Sequence, residues 1–261
     1  MPLDQADGLR RLFARSRVKF VPVVSNPHVA FGGMLLERLC TAFGEHGVHT
    51  LVVDASERAS EPNELAPMAL ADCIETLSPQ VSYLAARGLP LRYVDARGST
   101  APFLDALADA APHAEVVLVH APPSDLCRLF ARSAGEDADP VRPLLLAGDH
   151  PASVTHAYAA LKLLTQRAGL MVHDLLLGAA PNSPRAERIA MQIATCADDF
   201  LGAVLRDWVQ LDPTAAPTDA PTPALRRLVR EILRGPASIP AALHPSAAHL
   251  HHPPQQHRAL N

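Results

Sequence analysis

The segment with the clearest bearing on chemistry is the loop after the first predicted strand, residues 25–34, with the sequence SNPHVAFGGM. Such a loop binds phosphate when glycines let successive backbone N–H groups close around the oxygens, a lysine neutralises their charge, and a Ser or Thr binds Mg²⁺. Here Pro27 has no N–H to donate, and Val29, Ala30 and Phe31 carry side chains where close approach is needed. The loop stands where a phosphate-binding loop belongs but lacks the residues for that chemistry.

These losses predict that the loop does not support hydrolysis of a phosphate ester. Each missing charge-stabilising donor costs roughly 3 kcal/mol of transition-state stabilisation in comparable sites. The side chain of Phe31 is large enough to fill the phosphate space itself. An alternative is that the segment is simply a glycine-containing turn between a strand and a helix in an unrelated α/β protein, and the loop alone leaves this alternative open.

Other residue patterns give little support for catalysis or metal binding. Ser25, Ser124 and Ser153 lack the GxSxG context of a hydrolase nucleophile. His120 and His150 end predicted strands with no carboxylate or cysteine at a matching spacing, and the histidines of the tail are irregularly spaced. The four cysteines form no CxxC pair, which favours buried free thiols in a reducing compartment. The sequence therefore predicts neither a catalytic residue nor a metal site.

Short apolar runs alternate with longer amphipathic stretches. Predicted strands cover residues 18–24, 50–54, 91–95, 115–120, 143–147 and 171–177, with an edge strand at 204–211. Predicted helices cover residues 33–46, 64–77, 102–110, 123–132, 152–167 and 184–201. Because the runs at 116–119 and 144–146 are apolar at successive positions, both of their faces must be covered. The alternation predicts an α/β fold with a doubly wound, mostly parallel sheet and helices on both faces.

Length, composition and charge limit the domain organisation, the partners and the location expected for this chain. A chain of 261 residues with 48% hydrophobic residues can form one large α/β domain with appendages. A formal net charge of −4 gives no general attraction to nucleic acid, so no direct nucleic-acid partner is expected. The sequence shows neither a signal peptide nor a run of ~18 uninterrupted apolar residues. We therefore expect a cytoplasmic protein that is at most peripheral at the inner face of the membrane.

Two flanking segments differ from this body. Residues 1–16 contain a short helix-like stretch, and residues 213–261 form a tail rich in proline and histidine. Within the tail, residues 225–234 predict an amphipathic helix with arginines opposite one apolar stripe, which consists of Leu225, Leu228, Val229, Ile232 and Leu233. An isolated helix of this length is marginal in water. It should form against a bilayer interface, the chain's own body or a partner, and the sequence leaves these three open.

From residue 17 to residue 212 the chain resembles the MinD/ParA family of deviant Walker P-loop ATPases. Within that family it is most similar to the FlhG (FleN) regulators of flagellar number and placement. The spacing from Ser25 to Gly47 matches the distance from the family's SGKGGVGKT loop to the glycine that ends its first helix. In this register Pro27 replaces the signature lysine, Gly32 the phosphate-loop lysine and Gly33 the Mg²⁺-binding threonine.

The same alignment extends beyond the loop. Asp54 keeps the family's first aspartate, Ser56 replaces the second, which positions the attacking water in active members, and His120 replaces the Walker B aspartate. Residues 149–162, DHPASVTHAYAALK, resemble the family segment EPASITDAYALIK, and Ala179 aligns with an asparagine that usually contacts adenine. The resemblance implies a degenerate nucleotide site with no ATP or Mg²⁺ cofactor, formed by Ser25, Pro27, Gly32, Gly33, Asp54, Ser56 and His120.

The first residues of the chain fit the DQAxxLR motif of FlhG proteins over positions 4–10. In that family the segment binds FlhF, a GTPase of the signal-recognition-particle type that acts in flagellar assembly, and stimulates its GTP hydrolysis. The partner-binding residues implied here are Asp4, Gln5, Ala6, Leu9, Arg10, Leu12 and Phe13. The alternative is an ordinary helix packed on the chain's own domain.

The resemblance predicts a flagellar regulator that is a pseudo-ATPase and that activates an FlhF-type GTPase through its N-terminal motif. Further partners that it suggests are flagellar basal-body components, a second copy of the chain and a membrane surface. A nucleotide-binding or active MinD-like ATPase with unconventional site residues is the alternative. A third possibility is an unrelated α/β enzyme.

Overall fold

The centre of the computed structural model is one sheet of eight strands, within a structure that describes residues 18–60, 69–131, 141–216 and 218–235. The strands are β1 Lys19–Val24, β2 Thr50–Asp54, β3 Glu75–Ser78, β4 Val81–Ala85, β5 Val116–Ala121, β6 Leu144–Gly148, β7 Val172–Gly178 and β8 Val204–Leu211. Six helices accompany them: α1 Gly32–Gly44, α2 Pro102–Ala110, α3 Pro123–Phe130, α4 Pro151–Ala168, α5 Ala186–Leu201 and α6 Pro223–Arg234.

The strand order is β3-β4-β2-β5-β1-β6-β7-β8, and only β3 runs antiparallel to its neighbour. Strand β1 pairs with both β5 and β6, and β2 pairs with β5 so that Asp54 lies opposite His120. The carboxyl ends of β1, β2 and β5 therefore meet at one edge of the sheet, where ligands bind in open α/β folds. The predicted doubly wound, mostly parallel fold is confirmed.

The core lies on both sides of the sheet. One apolar cluster joins the sheet to α2, α3, α4 and α5, and a second joins it to α1 and α6. Every residue of β1, β5 and β6 is buried, which explains why these strands are apolar at successive positions.

Two predicted elements in the first half of the chain are wrong. In place of the predicted strand at 91–95 there is a 3₁₀ turn, Leu89–Tyr93, which begins after Gly88 at a φ of 72°, and residues 94 and 95 follow it outside any strand. The predicted helix at 64–77 lies partly outside the described residues; its remainder forms a 3₁₀ turn, Leu70–Cys73, followed by β3. Strand β4 was not predicted, although its residues alternate between buried and half-buried where they pair with β2.

Helix α6 was assigned to the tail by composition, but it packs on the α/β core. Leu225, Leu228, Val229 and Ile232 are buried in the cluster shared with α1, and Leu233 packs against it. Of the three surfaces on which this stripe could form a helix, the structure shows the chain's own body. The stripe is thus not available to a bilayer in this arrangement, and no helix of the described residues is long and apolar enough to cross one.

Ion pairs fix the exposed side of α6 to its neighbours. Arg226 forms two bonds of 2.7 Å to the Glu45 carboxylate after α1, and Arg227 contacts Asp207 of β8 at 2.9 Å. Thr222 caps the first turn by accepting a hydrogen bond from the backbone N–H of Leu225, 3.2 Å away. The apolar face of the helix is therefore covered by the chain itself, and two arginines of its exposed side are paired with neighbouring elements.

Truncating the apolar side of α6 should destabilise the whole domain. Leu228→Ala removes a fully buried side chain from the cluster, so we expect a loss of about 2–5 kcal/mol in the free energy of unfolding, measured by urea titration. Arg230→Ala, on the exposed side of the same helix, is the matched control and should change stability by less than about 0.5 kcal/mol. Equal effects of the two substitutions would contradict the packing described here.

Two adjacent titratable side chains are buried in β7, and burial shifts their pKa values in opposite directions. Burial lowers the pKa of His173 to about 4, and its Nε2 lies 3.1 Å from the Thr165 hydroxyl. Burial also raises the pKa of Asp174 to about 6, although Arg142 opposes that shift. Near pH 5 the folded chain has a neutral histidine and a neutral aspartic acid, whereas the unfolded chain has both charged. Each state then binds one proton on this pair, so the pair contributes little pH dependence to stability.

Substituting either residue should reveal the other's pH dependence. His173→Leu leaves an acid whose folded pKa is raised, so stability should increase by about 1 kcal/mol between pH 7 and pH 5. Asp174→Asn leaves a base whose folded pKa is lowered, so stability should fall by about 2 kcal/mol over the same range. Urea titrations at the two pH values test both signs, and slopes of the same sign in the two variants would refute the compensation.

Candidate functional site

The loop after β1 is fixed by the side chain of Asn26. Its Nδ2 donates to the carbonyl oxygens of Leu146, at 2.8 Å, and Ser153, at 3.0 Å. Its Oδ1 accepts a hydrogen bond of 3.1 Å from the backbone N–H of His28, which closes a local turn. The Ser153 hydroxyl in turn accepts a bond of 2.8 Å from the N–H of Gly148. The side chains of Asn26 and Ser153 thus connect the loop to β6 and α4 by hydrogen bonds.

Phe31 packs over two glycines at the carboxyl ends of β6 and β7. A Cβ at Gly178 would overlap the phenyl ring, and one at Gly148 would lie 3.3 Å from its Cζ. The ring therefore depends on bare backbone at both positions. Phe31 is not among the residues that line the adjacent cavity, so the expectation that it fills the phosphate space is corrected: the ring lies over β6 and β7.

An arginine from the loop after β2 crosses to the loop after β1. Nη2 of Arg58 donates to the Pro27 carbonyl at 2.5 Å, and Nη1 lies 3.4 Å from the Val29 carbonyl. Because these acceptors are backbone oxygens almost thirty positions away in the chain, the sequence around Arg58 gives no signal of the contact. The guanidinium brings a positive charge to a loop that contains no lysine.

Asp54 and His120 form a hydrogen-bonded pair at the ends of β2 and β5. Nδ1 of His120 donates to Oδ1 of Asp54 at 3.0 Å, and the Ser56 backbone N–H donates to the same oxygen at 3.0 Å. Burial favours the neutral acid, but the bonds from His120 and Ser56 outweigh it and keep the pKa of Asp54 below its ordinary value. Burial, followed by the charge of Asp54, raises the pKa of Tyr83 to about 12; its hydroxyl lies 3.4 Å from Oδ2.

These groups border a cavity of about 390 Å³ at the edge where β1, β2 and β5 end. The structure brings together all seven residues expected to form the degenerate nucleotide site, and each of them lines this cavity: Ser25, Pro27, Gly32, Gly33, Asp54, Ser56 and His120. Arg58, Glu57 and His156 also line it, and much of the remaining wall is apolar.

The residues of the cavity do not fit a magnesium–triphosphate. No lysine lines it, position 33 has no hydroxyl to bind a cation, and the Asp54 carboxylate already accepts bonds from His120 and Ser56. No cluster of three or more His, Cys, Asp and Glu side chains could bind a metal ion within the part of the chain that the structure describes. The cavity therefore lacks the groups that would bind a metal ion and a γ-phosphate.

Two other histidines have structural contacts. His150 caps α4, since its Nδ1 accepts a bond of 3.3 Å from the Ala152 N–H. Nε2 of His156 donates to the Ser25 carbonyl at 3.2 Å, and its ring meets that of His28 edge-on. Ala179, aligned with the adenine-contacting asparagine of the family, is buried, and its N–H donates to the Leu211 carbonyl.

The N-terminal partner-binding motif cannot be placed. Asp4, Gln5, Ala6, Leu9, Arg10, Leu12 and Phe13 lie outside the described residues. Their assignment therefore stays a prediction from the sequence.

Solved structures with the same fold identify the architecture. McdA from Cyanothece in complex with ATP aligns with a TM-score of 0.55 at 12% identity, covering 84% of this chain and 97% of that one. Cobyrinic acid a,c-diamide synthase from Mycobacterium smegmatis aligns with 0.54 at 13%, covering 83% and 94%. A plasmid partition protein from Borrelia burgdorferi aligns with 0.51 at 8%, covering 83% and 96%. No family model and no curated protein matches the sequence.

At these identities the likeness establishes the fold alone. The similar structures are P-loop ATPases of the MinD/ParA type, so this part of the sequence-based resemblance is confirmed for the architecture.

The packing of Phe31 predicts that alanine destabilises the protein at Gly178 but not at Gly33. Gly178→Ala places a methyl group inside the phenyl ring, so we expect a loss of about 1–3 kcal/mol in the free energy of unfolding. Gly33→Ala meets nothing within 4 Å and is the matched control. The double variant Phe31→Ala/Gly178→Ala should lose less stability than the sum of its single substitutions. Strict additivity in urea titrations would show that the ring does not depend on Gly178.

Proposed function

We propose that this protein is a regulator with the MinD/ParA fold that does not hydrolyse ATP and acts by binding a partner protein. The observation that carries the proposal is the Asp54–His120 pair. Where an active member of this fold needs free carboxylates for Mg²⁺ and water, this chain has a histidine bonded to the remaining aspartate.

The loop after β1 supports the same proposal. Its contacts with Asn26, Phe31 and Arg58 are internal, and they stabilise a closed loop with no bound phosphate required. Pro27 contributes a carbonyl to Arg58 where the family has the signature lysine. The energy that a nucleotide would otherwise supply to order the loop comes from the chain itself.

The finer proposal concerns the partner. The N-terminal DQAxxLR-like segment, residues 4–10, supports binding to an FlhF-type GTPase and acceleration of its GTP hydrolysis, with a role in flagellar number or placement. Such a protein would act in the cytoplasm, at the inner face of the membrane where its partner assembles. The α/β domain would then be a folded platform from which the segment extends.

A second candidate is a nucleotide-binding protein with unconventional site residues. The size of the cavity and the guanidinium of Arg58 beside the loop favour it. The two candidates differ in one measurable property, Mg²⁺-dependent affinity for ATP.

Calorimetric titration with ATP and ADP, with and without Mg²⁺, should show no micromolar binding, because neither the lysine nor the metal ligands are present. Gly32→Lys/Gly33→Thr/His120→Asp returns three family residues to the cavity and tests whether the scaffold regains binding. Micromolar Mg²⁺-dependent affinity in the unmodified protein, or ATP turnover that His120→Ala abolishes, would replace the first candidate with the second.

A turnover assay with an FlhF-type GTPase tests the partner. The full chain should accelerate GTP hydrolysis, and Gln5→Ala and Arg10→Ala should each reduce the acceleration at least tenfold, an effect of about 1.4 kcal/mol on the barrier. Arg11→Ala, which changes the adjacent arginine outside the motif, is the matched control. Acceleration that survives both motif substitutions would remove the N-terminal segment from the mechanism.

A further inference from the structure

Two cationic side chains near the amino ends of the strands donate hydrogen bonds to the carboxyl end of α6. Nζ of Lys19 donates to the carbonyl oxygens of Ile232, at 2.6 Å, and Leu233, at 2.9 Å, and also to that of Gly235. Nη2 of Arg142 donates to the Glu231 carbonyl at 3.1 Å. Cations at this position satisfy the last carbonyls of the helix and complement the negative end of its dipole.

Arg142 connects this end of the helix to a buried acid. Its Nη1 lies 3.5 Å from Oδ2 of Asp174, close enough for an ion pair but with no hydrogen bond formed. Oδ1 of Asp174 has no donor among the described residues, and the residue is only 1% exposed. The backbone N–H of Asp207 and the charge of Arg142 favour the ionised carboxyl, but burial with Oδ1 unpaired outweighs them, so the carboxylate is poorly stabilised as an ion.

The guanidinium is therefore shared between two acceptors. While α6 is closed, Arg142 is held toward the Glu231 carbonyl and away from ideal geometry with Asp174. When the end of α6 opens, Arg142 is released from Glu231, and it can bond Asp174 fully or let water reach it. Ionised Asp174 is thus stabilised more in the open arrangement than in the closed one.

We propose that closure of α6 over the domain is linked to protonation of Asp174, so that acidification tightens the attachment of the helix. This inference is independent of the proposed function, since it concerns the edge of the sheet opposite the nucleotide cavity.

The direction follows from proton linkage. Burial raises the pKa of Asp174 to about 6 in the closed structure, despite the lowering effect of Arg142. In a hydrated open form the pKa returns toward the ordinary value of about 3.9. As the pH falls from 7 to 5, the closed form takes up a proton that the open form does not, and the ratio of open to closed should decrease about tenfold.

Other charged groups face Asp174 and the helix end from each packed element. On β8, the charge of Asp207 raises the pKa of Asp174, whereas the charge of Arg206 and the backbone N–H of Asp207 lower it. Both are tied to α6, since Asp207 bonds Arg227 and Arg206 bonds Glu231. On β1, burial and then the charge of Arg142 lower the pKa of Lys19, which favours closure as the pH rises. Lysines titrate in the alkaline range, so they do not contribute between pH 7 and pH 5. His173 on the same strand affects global stability over that interval, and β5 reports that effect separately.

Hydrogen exchange of the full-length protein at pH 7 and pH 5 tests the proposal. After correction for intrinsic exchange rates, protection of amides in α6 should increase about tenfold at pH 5, while amides of the central strand β5 report global opening. In Asp174→Asn the local opening of α6, as distinct from the global opening that β5 reports, should not depend on pH. Asp198→Asn, an exposed acid on α5, is the matched control and should behave like the unmodified protein.

Three outcomes would overturn the inference. The first is α6 protection that is unchanged between pH 7 and pH 5 in the unmodified protein, a result that needs no variant to fold. The second is a change in α6 that is matched in β5, which would make the effect global. The third is a pH dependence of the local opening of α6 that persists in Asp174→Asn.

Discussion

The burial of the central parallel strands on both faces is the constraint on which the rest of this structure depends. Since β1, β5 and β6 have no exposed face, polar side chains along them are confined to the strand ends. Across the whole sheet, the polar residues at the carboxyl ends of the strands include Ser25, Asp54 and His120. Those near the amino ends include Lys19 of β1 and Asp174 of β7. Polar residues at the carboxyl ends of the strands thus line a cavity, and those near the amino ends lie beside the end of the last helix.

At the carboxyl edge, contacts within the chain fix the loop after β1. Asn26 fixes the loop to β6 and α4, Arg58 binds its carbonyls from the facing loop, and Phe31 packs on glycines at two strand ends. Each of these contacts joins the loop to another part of the same chain, so the loop is tied to β6, β7 and the loop after β2.

At the amino edge, the same logic produces a costly arrangement. Lys19 and Arg142 satisfy the carbonyl end of α6, but the geometry leaves Asp174 with one oxygen unpaired. Burying Asp174 in this way lowers the free energy of unfolding at neutral pH, where the acid is ionised. Burying His173 on the same strand lowers it at acidic pH, where an exposed histidine is protonated. These two costs nearly cancel between pH 7 and pH 5 for this pair, and the response proposed for α6 is local to one helix.

The sequence by itself determined much of this protein. Continuous apolar runs predicted the central strands because a strand buried on both faces carries few polar residues. The seven residues that line the cavity together were predicted from the family resemblance. The edge strand β3 and its neighbour β4 were missed because their partly exposed residues leave a weak pattern. The apolar stripe of α6 was evident, but any apolar surface would satisfy it, so only the tertiary structure decided that its own domain covers it. The contacts of Arg58, Phe31 and Lys19 were likewise set by tertiary structure, since each joins a side chain to backbone remote in the chain, where local sequence has no influence.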